Sequence, residues 1–169
     1  MAVVQPHRLR VEPGALLRTA DFDRAIPEGA TARRILYTTT ALGDEPAVAS
    51  AILVVPEDAG DDPLPVVAWA HGTTGVAEGC APSLLEDPFE AGAMFTLDEA
   101  IDNGWAVVAT DYIGLGTEGP HAYLVGEPAG HAVLDGIRAA RAVEGLSLSE
   151  QAVVWGHSQG GNAGVGTRT

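Results

Sequence analysis

The chain is short of positive charge: in 169 residues, nine arginines and lysines face 23 aspartates and glutamates, a formal net charge of −14. Nucleic acid and anionic membrane surfaces would both be repelled, so neither is expected as a partner, while solubility is favoured. Long apolar runs are missing too. No stretch reaches the roughly 18 apolar residues that cross a bilayer, so no integral membrane segment is expected. The start, Met1-Ala-Val-Val-Gln-Pro-His-Arg8, lacks the basic-then-apolar plan of a signal peptide, although a mature secreted form would already have lost one. Localisation is therefore left open. Cys80 is the single cysteine, so no internal disulfide can form; it reads as an inert buried thiol or as one whose partner lies outside the chain. No His, Cys, Asp and Glu group has metal-ligand spacing, and neither a metal nor another cofactor is implied.

A hydrophobic content of 46% with 19% charged residues describes a globular chain with enough length for one core and one domain, 1–169. Residues 1–30 read as irregular, with turns at Pro13-Gly14 and Pro27-Glu28-Gly29 and a minor packing contact at Leu16-Leu17. Residues 31–169 hold the core elements. Ala32–Thr40 and Ala47–Val55 form an antiparallel pair of strands, and residues 56–65 an acidic, proline-bearing surface loop. From there strands and helices alternate. Val66–Ala70 is a buried strand; Met94, Leu97 and Ile101 share a helical face that stops at Asn103-Gly104; Trp105–Thr110 is a second buried strand. Across 130–144, Val133, Leu134, Ile137 and Ala140 line one helical face while Asp135 and Arg138 point away, and Gly145 closes the helix. Ala152–Trp155 is a third buried strand. That order predicts an α/β fold: an antiparallel pair leading into a mainly parallel sheet with helices on both faces.

The third strand runs into Gly156-His157-Ser158-Gln159-Gly160. In the G-x-S-x-G nucleophile elbow a serine sits strained between strand and helix, and side chains at the flanking positions would collide, so Gly156 and Gly160 fit. Ser158 is the candidate nucleophile. An acyl-transfer serine also needs two backbone N–H donors aimed at the developing oxyanion. Gln159 follows the nucleophile and supplies one. The loop His71-Gly72-Thr73-Thr74-Gly75 supplies the other, with Thr73 assigned and Thr74 second; the bland reading of this loop is a plain strand-end turn.

Gly114-Leu-Gly-Thr-Glu-Gly119 matches G-x-G-x-x-G, but its context argues against a dinucleotide. Pro120 interrupts, the next helix begins about ten residues later, Glu118 would sit near the pyrophosphate, and the following strand ends at Ser158 rather than in an acid. The stretch from Asp111 and Tyr112 to Gly116 instead reads as a turn lining the pocket, with Asp111 anchoring loop N–H groups or, as the lesser alternative, acting as a catalytic carboxylate near the site. Among the histidines, His157 occupies the variable position of the elbow and projects away from the hydroxyl. His71 is the nearest substitute base, His121 and His131 read as pocket lining or satisfied polar residues, and His7 as surface.

Ala68-Trp-Ala-His-Gly-Thr-Thr-Gly75, Gly79-Cys-Ala-Pro-Ser83, Ala109-Thr-Asp-Tyr-Ile-Gly-Leu-Gly-Thr117, Gly119-Pro-His121 and Trp155-Gly-His-Ser-Gln-Gly-Gly161 together resemble the secretory lipase family of α/β-hydrolases. The resemblance runs from about residue 13 to residue 163. It implies a cofactor-free serine hydrolase acting on lipid or simpler carboxylic esters, in a family whose members are usually secreted. In that family the cysteine at the position of Cys80 often forms a disulfide.

Two departures qualify the expectation. The fold orders its triad Ser, then acid, then His, yet nothing after Ser158 is acidic or histidine. Moreover Asn162-Ala-Gly-Val-Gly-Thr-Arg-Thr169 is a poor helix, each glycine costing about 1 kcal/mol relative to alanine. The expectation is an N-terminal portion cut short after the elbow, with the triad acid and histidine elsewhere and an exposed sheet edge open to self-association. The alternatives are a catalytically silent remnant, an interaction module, or a peptidase or acyltransferase on the same scaffold.

Overall fold

Residues 12–60 and 62–167 are described by the computed structural model. Six strands form one sheet: β1 (Leu16–Phe22), β2 (Ala30–Thr40), β3 (Pro46–Pro56), β4 (Leu64–Ala70), β5 (Ala106–Thr110) and β6 (Leu148–Gly156). The helices are α1 (Pro88–Ala91), α2 (Leu97–Asp102), α3 (Gly126–Arg141) and α4 (Gln159–Gly166). Strand order is β1-β2-β3-β5-β4-β6. Pairing is antiparallel from β1 through β5, whereas β4 runs parallel to both β5 and β6.

That order decides where the helices go. The chain steps from β4 towards β3 to form β5, then jumps back past β4 to form β6. Crossovers between parallel strands are right-handed, so two crossovers running in opposite directions place their helices on opposite faces. The strands show the same division by alternate residues. Leu53, Val66 and Val108 pack with Val133 and Ile137 of α3 on one face. Ile52, Val54 and Val107 pack with Phe89, Leu97 and Ile101 of α1 and α2 on the other. Each such fully buried side chain contributes about 1.5–3 kcal/mol. The reversal of winding opens a crevice at the carboxyl ends of β4, β5 and β6, which is where open α/β sheets place their sites.

The structure departs from the sequence reading at six places. Met94, expected on the helical face of Leu97 and Ile101, precedes α2, and its N–H donates to Phe89 O at 2.8 Å; Trp105, expected in a buried strand, precedes β5 and is 40% exposed. Residues 16–22, expected to be irregular, form β1. Its side chains are mostly exposed, so no apolar alternation marks it; backbone pairing with β2 holds it. Asp135, expected to point away, is buried: Thr39 Oγ1 donates to it at 2.8 Å and Arg138 Nη1 at 2.5 Å, which offsets the cost of burying a carboxylate. Ala152–Trp155, expected to be buried, lie on the edge strand β6, where Val153 is 58% and Trp155 49% exposed. Finally, 159–166 form a helix despite their glycines. A Cβ at Gly166 would overlap the Gly126 carbonyl, and one at Gly130 would stand 2.6 Å from the Gly166 carbonyl carbon. The glycines thus allow α3 and α4 to cross in near backbone contact, and packing compensates poor propensity.

Candidate active site

The end of β6 turns directly into α4, and the turn is held against β4. His157 N–H donates to the Ala70 carbonyl at 3.2 Å, Gly160 N–H to His157 O at 2.8 Å and Gly161 N–H to Ser158 O at 2.9 Å. Ser158, between them, lies at φ 52° and ψ −112°. A serine held there costs on the order of 1–3 kcal/mol, which the surrounding packing must offset. The glycines explain how. A Cβ at Gly160 would overlap the Ala70 carbonyl oxygen, and one at Gly156 would overlap the Gly160 carbonyl oxygen. Ser158 itself is exposed. The N–H of Gln159 falls in the first turn of α4, where the helix supplies no acceptor, at the positive end of its dipole.

The loop after β4 lies alongside. A Cβ at Gly72 would stand 3.0 Å from His157 Nδ1, and Gly72 N–H donates to the Gly92 carbonyl at 3.1 Å. Thr73 is exposed, its hydroxyl 3.2 Å from Tyr123 Oη. Thr74 is turned to a structural task, its hydroxyl donating to Cys80 O at 2.7 Å. Cys80 is half-buried, free, and packed beneath Gly75.

His71 is buried, with Nδ1 2.5 Å from Gly72 O and Nε2 3.5 Å from Asp111 O. Burial pulls its pKa down to about 4, so the ring is neutral at neutral pH. Tyr112 adopts φ 65°, lies 4.4 Å from the His71 ring centroid to centroid, and donates its hydroxyl to His71 O at 3.0 Å. Asp111 accepts from Ser50 Oγ at 2.5 Å, Ser83 Oγ at 2.6 Å and Ser83 N at 2.8 Å. Burial raises its pKa, while these donors and the nearby Arg34 oppose the rise. Its carboxylate thus ties the segment after Cys80 to β3.

The loop after β5 carries Gly114 at φ 78°, Gly116 at φ 67° and Gly119 at φ 114°, and no helix begins before Gly126. Gly114 is required by a close approach, since a Cβ there would stand 2.5 Å from His121 N. His121 Nδ1 lies 3.0 Å from Ile113 O and Nε2 2.9 Å from Gln159 Nε2. His131 Nδ1 lies 3.2 Å from Thr40 O, and His7 falls outside the described residues. Among the described residues no hydrogen bond joins the Ser158 hydroxyl to a histidine: His71 and His121 spend their ring nitrogens on other partners. No cluster of three His, Cys, Asp or Glu among the described residues could hold a metal.

Ser158, Gln159, Gly72 and Thr73 are therefore gathered at one end of the sheet, with His71, Asp111 and Tyr112 packed beneath. His121, expected as pocket lining or a satisfied polar residue, meets this group through Gln159, whereas the contact of Tyr123 with Thr73 was not anticipated. A groove of about 650 Å³ opens at this end too, lined in part by Ile113, Glu118, Pro120 and Ala122, but Ser158 is not in its wall.

Comparison with known proteins points the same way. Residues 90–167 match the secretory lipase family model. A Mycobacterium tuberculosis (strain CDC 1551 / Oshkosh) protein named probable inactive lipase MT1628 is 34% identical over 89% of this chain and 36% of its own length. Secreted triacylglycerol lipase LIP2 of Malassezia furfur is 28% identical over 89% of this chain and 34% of its own. The chain thus spans about a third of these relatives. Candida antarctica lipase A, in its closed state, superposes with a TM-score of 0.78 at 24% identity, over 92% of this chain and 38% of that one. The ligand-bound rice cell wall degrading esterase LipA from Xanthomonas oryzae does so with a TM-score of 0.70 at 26% identity, over 93% and 45%. The fold is that of an α/β-hydrolase, and within it residues 90–167 are similar to the secretory lipase family.

Proposed function

We propose that Ser158 is the nucleophile of a carboxylic-ester hydrolase whose substrate is a lipid or simpler ester. The observation that carries the reading is the strained serine at φ 52°, held between two positions that admit only glycine and open to solvent. Strain of this kind persists where a hydroxyl has to be presented. Ser158 Oγ attacks the ester carbonyl, and the tetrahedral oxyanion is received by the N–H groups of Gln159 and Thr73. Collapse expels the alcohol and leaves an acyl-serine, which water hydrolyses. A base must take the Ser158 proton and return it to the leaving alcohol. The imidazoles of His71 and His121 are engaged elsewhere, so base and supporting acid are assigned to parts of the protein outside these residues, and no cofactor enters.

A second reading is favoured by two observations: the absence of a histidine on Ser158 among the described residues, and the relative named as an inactive lipase. In it the chain is a silent scaffold. Incubation with a p-nitrophenyl alkylphosphonate, read by intact mass and peptide mapping, separates the two. Ser158 should be the labelled residue, slowly, and Ser158→Ala should abolish labelling, because oxyanion donors and binding alone retain about 10³–10⁴ over water. Labelling spread over other serines would sink the proposal. Turnover of p-nitrophenyl butyrate by the chain alone should not exceed background. The open edge of β6 is further proposed to pair with a second copy.

A further inference from the structure

The loop between β5 and α3 touches both residues assigned as oxyanion donors. The Ile113 carbonyl can only accept, so His121 Nδ1 at 3.0 Å carries the proton. In the neutral ring Nε2 is then an acceptor, and Gln159 Nε2 donates to it at 2.9 Å. Gln159 is only 3% exposed, with its Oε1 left unpaired, so this bond fixes the side chain whose backbone N–H opens α4. Two residues further on, the Tyr123 hydroxyl lies 3.2 Å from Thr73 Oγ1. The loop has its own anchors. Gly114 N–H meets Thr117 Oγ1 at 3.3 Å, the Thr117 hydroxyl donates to Val48 O at 3.2 Å, and Tyr112 stacks on His121 at 6.1 Å and 24°.

We propose that His121 and Tyr123 are positioning residues, a clamp that sets the separation of the Gln159 and Thr73 backbone donors without touching the substrate. The consequence for rate rests on the ester-hydrolase reading; the hydrogen-bonded pair itself does not. A backbone N–H cannot be steered by its own side chain unless that side chain is held. His121 holds one and Tyr123 the other, from a loop pinned to β3.

The test uses the 169-residue chain with two readouts. Long-range ¹H–¹⁵N spectra should show His121 as the Nδ1–H tautomer, with an Nε2 resonance that moves in Gln159→Leu. An Nε2–H tautomer, or no movement, overturns the clamp. The second readout is the rate of Ser158 phosphonylation. His121→Leu should lower the maximal rate about tenfold at unchanged half-saturation, as a misplaced donor would. His121→Gln, which again presents an acceptor to Gln159, should recover most of it, and Tyr123→Phe should cost about threefold, the scale of one neutral hydrogen bond. Equal rates in His121→Leu and the parent, or equal losses in His121→Leu and His121→Gln, overturn the clamp. If Ser158→Ala is labelled as fast as the parent, the hydrolase reading fails instead, and the tautomer and the Gln159 shift alone decide whether the pair exists.

Discussion

Strands β5 and β6 flank β4 on opposite sides, both parallel to it: Val67 is paired with Val107 on one side and Val153 on the other. Their apolar sequences, Ala-Val-Val-Ala-Thr and Ala-Val-Val-Trp, are close to interchangeable. Yet every residue of β5 is buried, while Val153 and Trp155 are largely exposed. The difference lies in what comes next in space. Beyond β5 stands β3, and α2 and α3 cover its faces; beyond β6 the described residues place nothing. An apolar β-branched run encodes a strand, and only its neighbours decide whether it is core. Within β6 a second contrast appears, because the strand that is open along its length is closed at its upper end, where Gly156 and Gly160 admit no side chain.

The largest break in that contrast is expected from Gly160→Ala. Its Cβ would overlap backbone of β4, which cannot yield as a flexible side chain would, so a loss of more than about 3 kcal/mol in urea unfolding is expected, with loss of Ser158 labelling. Gly161→Ala, one residue on and with open space around it, should be neutral or stabilising by up to about 1 kcal/mol. Equal effects at the two positions would show that the elbow is not held against β4.

The upper end of β6 was legible in the sequence because its demands are local: a strand, a serine and two glycines within five residues. The parallel strands β4, β5 and β6 and the antiparallel β2–β3 pair were legible from apolar runs and turns. What failed depends on partners distant in sequence. β1 is written in backbone pairing rather than in Leu-Leu-Arg-Thr-Ala-Asp-Phe; Asp135 is buried because Thr39 and Arg138 meet it; Gly164 and Gly166 spoil a helix on propensity, but Gly166 lets α4 approach α3. The assignment of Thr73 came from the His-Gly-Thr-Thr-Gly loop at the end of β4, and His121 was expected at the pocket, but the reach of Tyr123 came from neither pattern nor motif, since a loop's path is settled only by what it lands on.

The β4–β5 side is probed by pH. Unfolded, His71 titrates near 6.5; folded, burial holds it at about 4. Between those values the unfolded chain binds more protons, so this contribution is complete above pH 6.5 and lost as pH falls towards 4. A shift of that size amounts to about 3 kcal/mol. Asp111 acts oppositely: its raised pKa favours the folded state at low pH and is lost as pH rises. Comparing parent with His71→Phe cancels that shared term. The parent should lose more stability from pH 7 to 4.5 than the variant, and parallel curves would show that His71 is not shielded from water.

Where the two sides meet, Thr73 is expected to act through its backbone. Thr73→Ser should keep the phosphonylation rate within a few-fold, even allowing for the bond to Tyr123, whereas Thr73→Pro, which removes the N–H, should lower it by roughly 100-fold. Similar losses from both substitutions would assign the role to the hydroxyl instead.

The smallest effect on folding and the clearest on association is expected at the open edge. Val153 is exposed on an edge strand that is paired only with β4, so Val153→Glu should change unfolding stability by less than about 0.5 kcal/mol. The same strand offers free N–H and C=O groups beside Trp155, a template for a second copy that only the net charge of −14 resists. Salt screens that repulsion, with a Debye length falling from about 30 Å at 0.01 M to about 10 Å at 0.1 M. The parent should therefore shift to larger species in size exclusion as salt rises. Val153→Glu, which sets like charges against each other across a paired edge, should stay closer to the monomer at every salt concentration. A parent that remains monomeric throughout would show that the edge is protected, and the contrast between β5 and β6 would then be one of exposure without consequence.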